Sequence, residues 1–177
     1  MAGTTVVLTG PECTGKTTLA ATLAARFDAP WVPEAARRYA ESVDGQLSAA
    51  TVEPIARLAM RLEDEARAGA PPLLFRDTDL VSTVVYARHY YGTCPAWIEA
   101  EARARRADLY LLGDIDLPWT PDGVRDRPAQ RAELLADFRA ALEAIGARVV
   151  VLRGEGRARA DAAERAVRAL LAERATG

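Results

Sequence analysis

The 177-residue sequence predicts an α/β fold: one parallel sheet of five strands, covered by helices on both faces. Three observations lead there. Short apolar, β-branched runs alternate with stretches of helical spacing along the whole chain. The runs number five, which suits one three-layer domain over residues 1–177. No linker, internal repeat or low-complexity segment divides them.

Thr5-Val6-Val7-Leu8-Thr9 ends at Gly10 and reads as a buried strand. From Lys16 the pattern turns helical, with Leu19, Leu23 and Phe27 four apart on one face. Ala29 to Pro33 is a second extended piece. A helix opens near Glu34 with Ala35, Tyr39 and Ala40, and Asp44-Gly45 punctuates it. Thr51 to Ala68 has helical spacing through Ile55, Leu58, Ala59 and Leu62. Leu73-Leu74-Phe75 is a third strand, running into Arg76-Asp77-Thr78-Asp79. A helix follows to about Tyr91, stopped by Gly92, and another lies between Pro95 and Arg106. Leu109 to Leu112 and Val149 to Leu152 are the last two strands. A polar loop from about Asp114 to Pro128 and a helix from about Ala129 to Ile145 separate them. An Ala/Arg-rich helix from about Arg157 to Arg174 closes the chain, its alanine face suited either to the sheet or to a second subunit in a homodimer.

Half the residues are hydrophobic and 27% are charged, as in ordinary globular proteins. A net charge of -2 argues against a dedicated nucleic-acid binder, which needs a basic surplus. Cys13 and Cys94, the only cysteines, make neither a disulfide framework nor a zinc site. No leader pattern and no membrane-length apolar run stands out, so a cytoplasmic protein without membrane contact is expected.

Open parallel sheets bind ligands at the carboxyl ends of their strands. There, Gly10-Pro11-Glu12-Cys13-Thr14-Gly15-Lys16-Thr17 fits G-x-x-x-x-G-K-[ST] without exception, between a strand and a helix. Glycines let successive N–H groups curl around an anion, and the helix adds its positive dipole end. A nucleoside triphosphate is the expected ligand, with ATP as cofactor held by Gly10, Glu12, Cys13, Thr14, Gly15, Lys16, Thr17 and Thr18. Lys16 reaches the β- and γ-phosphates, and Thr17 is placed to ligate Mg²⁺. The expected architecture is a three-layer P-loop kinase fold with strand order 2-3-1-4-5. Cys13 lacks a partner base in its own element and reads as a passive loop residue.

Phosphoryl transfer also needs an acid for the metal and a group to take the acceptor's proton. Asp77 closes the third apolar run and is the candidate for assisting Mg²⁺. Asp79 is either catalytic, contacting the acceptor, or the cap of the next helix. Glu34 follows the second strand as candidate base or substrate clamp. Arg37, three residues on, either pairs with it or binds substrate. Arg125 and Arg127 lie in a lid segment of about residues 114–128, where they would neutralise charge on the transferred group. Trp31, Tyr86 and Tyr90 offer faces for a flat acceptor ring, or fill the core. His89 reads as a helix-surface residue near the cleft.

The phosphate loop, Trp31 with Glu34-x-x-Arg37, the block from Asp77-Thr78-Asp79 to Tyr90-Tyr91-Gly92, and Trp119-x-x-Asp122-Gly123-x-Arg125 occur in one order over most of the chain. In this the sequence resembles the ribosylnicotinamide kinase domain of the bacterial NAD-biosynthesis regulator and related stand-alone ATPase/kinase-like domains. The resemblance implies ATP-dependent phosphorylation of the ribose 5′-hydroxyl of nicotinamide riboside. The length leaves no room for the regulator's DNA-binding or adenylyltransferase parts, so the kinase step alone is expected. Two rival readings stay open: a kinase for another nucleoside, nucleotide or vitamin alcohol, and an ATP-sensing module that regulates a partner.

Overall fold

A computed structural model describes residues 3–43, 47–118 and 130–176. Its elements are β1 (Thr4–Thr9), α1 (Lys16–Phe27), β2 (Trp31–Val32), α2 (Ala35–Val43), a 3-10 turn (Ala49–Thr51), α3 (Val52–Ala68), β3 (Leu73–Asp77), α4 (Leu80–Tyr91), α5 (Ala96–Ala104), β4 (Leu109–Gly113), α6 (Arg131–Ala144), β5 (Val149–Leu152) and α7 (Gly156–Thr176). The strands form one parallel sheet in the order β2-β3-β1-β4-β5, as expected. β1 sits at its centre, which explains why its apolar run is buried on both faces.

Alternation along the strands sorts side chains into two cores. Val7 and Tyr110 meet α2, α3, α4, α5 and α6 on one face. Val6, Leu8 and Phe75 meet α1 and α7 on the other. The Leu19, Leu23 and Phe27 stripe of α1 faces this second core, where Phe27 lies 5.7 Å from the Phe75 ring. The open question about the last helix is answered here. Ala160, Ala163, Val167 and Leu170 of α7 are buried in this same core, so that stripe packs within the chain.

Several element boundaries differ from the sequence reading. β3 runs on through Arg76 and Asp77, both buried, where the apolar run had stopped at Phe75. A charged residue stays in a central strand only with a partner, and Arg76 finds one in Glu63 of α3, Nη1 to Oε2 at 3.0 Å. The terminal helix begins one residue earlier and ends two later than expected. The loop after β4 is described to Pro118 only, so Arg125, Arg127 and most of the expected lid fall outside the described residues. Among the described residues no helix is long and apolar enough to cross a membrane.

Candidate active site

The phosphate loop joins β1 to α1 at the carboxyl edge of the sheet. Gly10 (φ 125°), Cys13 (φ 55°) and Gly15 (φ 76°) take positive φ and curl the chain. Gly10 is also required by space, because a Cβ there would lie 3.0 Å from the Gly113 carbonyl oxygen. Reciprocally, a Cβ on Gly113 would stand 2.8 Å from Thr14 Cβ. The end of β4 therefore braces the loop from behind. Inside it, the Thr14 hydroxyl and Lys16 Nζ both donate to the Pro11 carbonyl, at 2.9 and 2.7 Å. α1 starts at Lys16 with neither a side-chain cap nor an acid in its first turn. Its first N–H groups and positive end are thus directed at the loop. Thr18 is exposed, its carbonyl accepting from the Thr22 hydroxyl at 2.8 Å.

Two arginines that sequence reasoning missed hold the loop from the C-terminal half. Arg159 of α7 is 4% exposed. Its Nη1 donates to the Thr14 carbonyl at 2.6 Å, its Nε to Gly154 at 2.7 Å, and its Nη2 to the Leu152 carbonyl and the Asp116 carboxylate. Arg131, at the start of α6, donates to the carbonyls of Leu117 and Cys13, at 3.1 and 3.4 Å. In an Ala/Arg-rich helix residue type alone does not mark Arg159 out from the exposed arginines. Its spacing from Ala160, Ala163 and Val167 on the buried face was the available signal. Arg159→Ala is expected to cost about 2–3 kcal/mol, because several carbonyls lose a charged donor together. A lower urea midpoint, with a raised KM for ATP, would be the observed result.

Asp77 ends β3 opposite the loop, and its Oδ2 accepts from the Thr17 hydroxyl at 2.5 Å. It is 2% exposed, and its Oδ1 has no hydrogen-bond partner among the described residues. Burial raises its carboxyl above the ordinary aspartate range, with Lys16 and the Thr17 hydroxyl opposing the shift. A hydroxyl and a carboxylate beside a phosphate cradle are hard oxygen donors. Mg²⁺ prefers such a set, completing its shell with phosphate and water oxygens. The donors fit the ion.

The next residues turn sharply. Thr78 has φ 67°, an unfavourable setting for a β-branched residue, and its N–H donates to the Leu8 carbonyl at 2.9 Å. This turn sends Asp77 towards the loop and Asp79 to the head of α4. Asp79 Oδ1 accepts from the N–H groups of Val81 and Ser82, and Oδ2 from the Tyr110 hydroxyl at 2.8 Å. Of its two sequence readings, the structure builds the cap. Burial raises its carboxyl too, against the nearby Arg76 charge.

Beside Asp77 opens a cavity of about 210 Å³, between the sheet, α2, α3 and α4. Glu34, Asp77, Asp79, Tyr86 and Tyr90 all line it. Glu34 is 10% exposed, and Arg37 Nε stands 4.0 Å from its Oε2. Arg37 is 40% exposed and is not part of the lining. Tyr86 and Tyr90 stack with ring centroids 5.8 Å apart, and Tyr86 also packs edge-on to Phe138. The Tyr86 hydroxyl donates to Glu12 Oε2 at 3.3 Å. Glu12, expected among the ATP contacts, thus carries its carboxylate towards α4.

Two expectations are corrected. Trp31 is no cavity residue: it pairs with Phe75 and packs into the core under α1 and α7, while its neighbour Val32 takes the cavity side. Adjacent strand residues face opposite ways, and the sequence reading had not assigned the face. His89 is no surface residue: its side chain is 5% exposed, with Nδ1 2.8 Å from Asp137 Oδ2 and Nε2 3.3 Å from Gln130 Oε1. It ties α4 to α6.

Comparison with known proteins agrees with this geometry. The model of the family described as AAA domain matches residues 5–159. The trifunctional NAD biosynthesis/regulator protein NadR of Escherichia coli is 32% identical over 125 residues, covering 68% of this chain and 30% of NadR; the Salmonella typhimurium NadR matches equally. The chain therefore spans less than a third of these relatives. A crystal structure of NadR in complex with NR superposes with a TM-score of 0.81 at 25% identity, over 94% of this chain and 50% of the other. A NadR complex with NAD and AMP-PNP gives 0.78 at the same identity, over 94% and 49%. Thymidylate kinase from Ehrlichia chaffeensis, at 13% identity and a TM-score of 0.68 over 97% and 100%, shares the fold. The resemblance to the kinase part of the NAD-biosynthesis regulator is borne out. With a family match over most of its length and an intact phosphate loop, the chain belongs to the AAA domain family of P-loop proteins.

Proposed function

We propose that the chain is a cytoplasmic, ATP-dependent small-molecule kinase that phosphorylates the ribose 5′-hydroxyl of nicotinamide riboside, giving nicotinamide mononucleotide and ADP. One observation carries the reading. The Thr17–Asp77 hydrogen bond sets a metal-assisting acid at the phosphate loop, and that acid also lines a ligand-sized cavity with Glu34 on its wall. The NadR complexes with NR and with AMP-PNP, which superpose over most of the chain, support both ligand classes.

Lys16 exchanges its bond to the Pro11 carbonyl for phosphate oxygens, and the α1 N-terminus holds the same phosphates. Thr17 and Asp77 would hold Mg²⁺, which would supply charge neutralisation to the phosphates when bound. Glu34 orients the acceptor hydroxyl and accepts its proton as the γ-phosphoryl group passes to that oxygen and ADP departs. Asp79, with both oxygens engaged, fixes α4 and so the Tyr86 and Tyr90 wall. Arg125 and Arg127 retain their proposed lid role, and Arg131 stands where that segment rejoins the described chain.

The direct test is purified protein with ATP, assayed against nicotinamide riboside and a panel of nucleosides, nucleotides and vitamin alcohols. A different phosphorylated acceptor would keep the kinase and replace its substrate. Tight ATP binding with no phosphorylated product from any acceptor would sink the kinase in favour of a sensing module. Glu34→Gln should lower kcat by about 10²-fold and leave the KM for ATP little changed. That is the low end for a general base, because loose phosphoryl transfer demands little proton removal. Full activity in this variant would move the base elsewhere.

A further inference from the structure

β3 carries a charge where its sheet neighbours are apolar. Arg76 is paired in register with Val7 of β1 and Val32 of β2, so its side chain stands on the face beneath α3 and α4. It is 2% exposed, and with Val32 it lines the acceptor cavity. Ile55 and Ala59 of α3 line that cavity as well, and Glu63 follows one turn further along the same face. Arg76 therefore links the cavity wall to Glu63, which lies beyond the lining residues.

The pair is poorly matched as a structural ion pair. Arg76 Nη1 lies 3.0 Å from Glu63 Oε2, yet neither atom makes an aligned hydrogen bond among the described residues. Glu63 is shared: its Oε1 accepts from Arg67 Nε at 2.9 Å, and Arg105 Nη1 approaches Oε2 at 3.6 Å. Asp79, the nearby cavity acid, has its oxygens engaged by α4 and Tyr110. A guanidinium is costly to bury, and only well-aligned acceptors offset the loss of water. Nη1 is turned to Glu63 without an aligned bond, and Nε and Nη2 make no hydrogen bond among the described residues, so a guanidinium in the wall of a ligand-sized cavity lacks aligned acceptors.

We infer that Arg76 is a specificity-determining residue of the acceptor cavity, donating to an exocyclic oxygen (carbonyl, carboxamide or carboxylate) on the acceptor's ring. The inference rests on the proposed nucleoside-kinase reading. An acceptor with that oxygen satisfies the buried donor. One without it leaves the donor unpaired in a dry site, which is how hydrogen-bonding pockets reject close analogues strongly.

The test compares nicotinamide riboside with the same pyridine riboside lacking its carboxamide, in wild type and in a Glu63→Leu/Arg76→Met double variant. Both charges are removed together so that neither is left buried alone. Arg105 keeps Asp64 and Glu101, at 2.6 and 3.0 Å. Wild type should prefer the carboxamide by about 10²-fold or more in kcat/KM, and the variant should lose most of that preference. The loss should appear in the KM for nicotinamide riboside, with the KM for ATP near its wild-type value. A folded double variant that keeps wild-type discrimination overturns the inference and leaves the kinase intact. If the double variant fails to fold, Arg76→Lys replaces it: reduced preference supports the inference and unchanged preference overturns it. If wild type accepts a different nucleoside, the comparison moves to that nucleoside and its ring-deoxygenated analogue, with the same two outcomes. If no nucleoside is accepted, both readings fall.

Discussion

Replacing Lys16 with alanine is expected to lower kcat by about 10²–10³-fold, the scale at which one pre-organised charge-stabilising donor acts in a sheltered site. Lys16 is only 9% exposed and stands at the first position of α1, with Nζ already inside the loop. In the transition state, negative charge spreads over the equatorial oxygens of the transferred group, and this ammonium meets it in a poorly solvated cradle. The fold should survive. α1 is held by Leu19, Ala20, Leu23 and Ala24 in the core, and alanine is the best helix former. Steady-state kinetics with a nucleotide titration and a thermal melt would separate these effects. Activity within about tenfold of wild type would remove the phosphate loop from its assigned role.

Why some of the site was legible and some was not follows from chemistry. The phosphate loop is local: its glycines, lysine and threonine act through adjacent backbone, so spacing alone reveals them. Asp77 was legible because a carboxylate closing an apolar run has few other reasons to stand there. Strand order was expected from the fold class and is found unchanged. What stayed hidden depends on partners far along the chain. Arg159 and Thr14 are 145 residues apart, and no periodicity links them. That Arg76 is a buried strand residue was not visible because its neutralising partner, Glu63, sits on another element. Trp31 and Val32 could not be assigned to their faces, since a two-residue strand contains no pattern to read. Asp79 was open between cap and catalyst because both roles ask for an aspartate at a strand-to-helix turn. Tyr110, arriving from β4, engages the second oxygen, a contact that no local pattern announces.

Asp77→Asn should move activity and stability in opposite directions. Activity is expected to fall by about 10²–10³-fold, since the amide supplies a weaker metal ligand and no negative charge. The fold, in contrast, should gain about 1 kcal/mol, or a rise of about 2–4 °C in Tm for a chain of this size. The sign comes from burial. Asp77 has its folded pKa raised above the unfolded value, so the folded state holds the proton more tightly. That contribution to stability is fully present below the unfolded pKa and is lost as pH climbs through the folded one. At neutral pH the carboxylate is therefore a net cost, only partly offset by Lys16 and the Thr17 hydroxyl. Asparagine keeps the shape and an oxygen for Thr17 while removing the buried charge. The Tm advantage of the variant should shrink on acidification, because wild-type Asp77 then takes up its proton and escapes the same cost. A constant advantage from neutral to acid pH would locate the gain somewhere other than this carboxylate. An advantage that shrinks, together with lost turnover, would show Asp77 to be kept charged for chemistry at the expense of the fold.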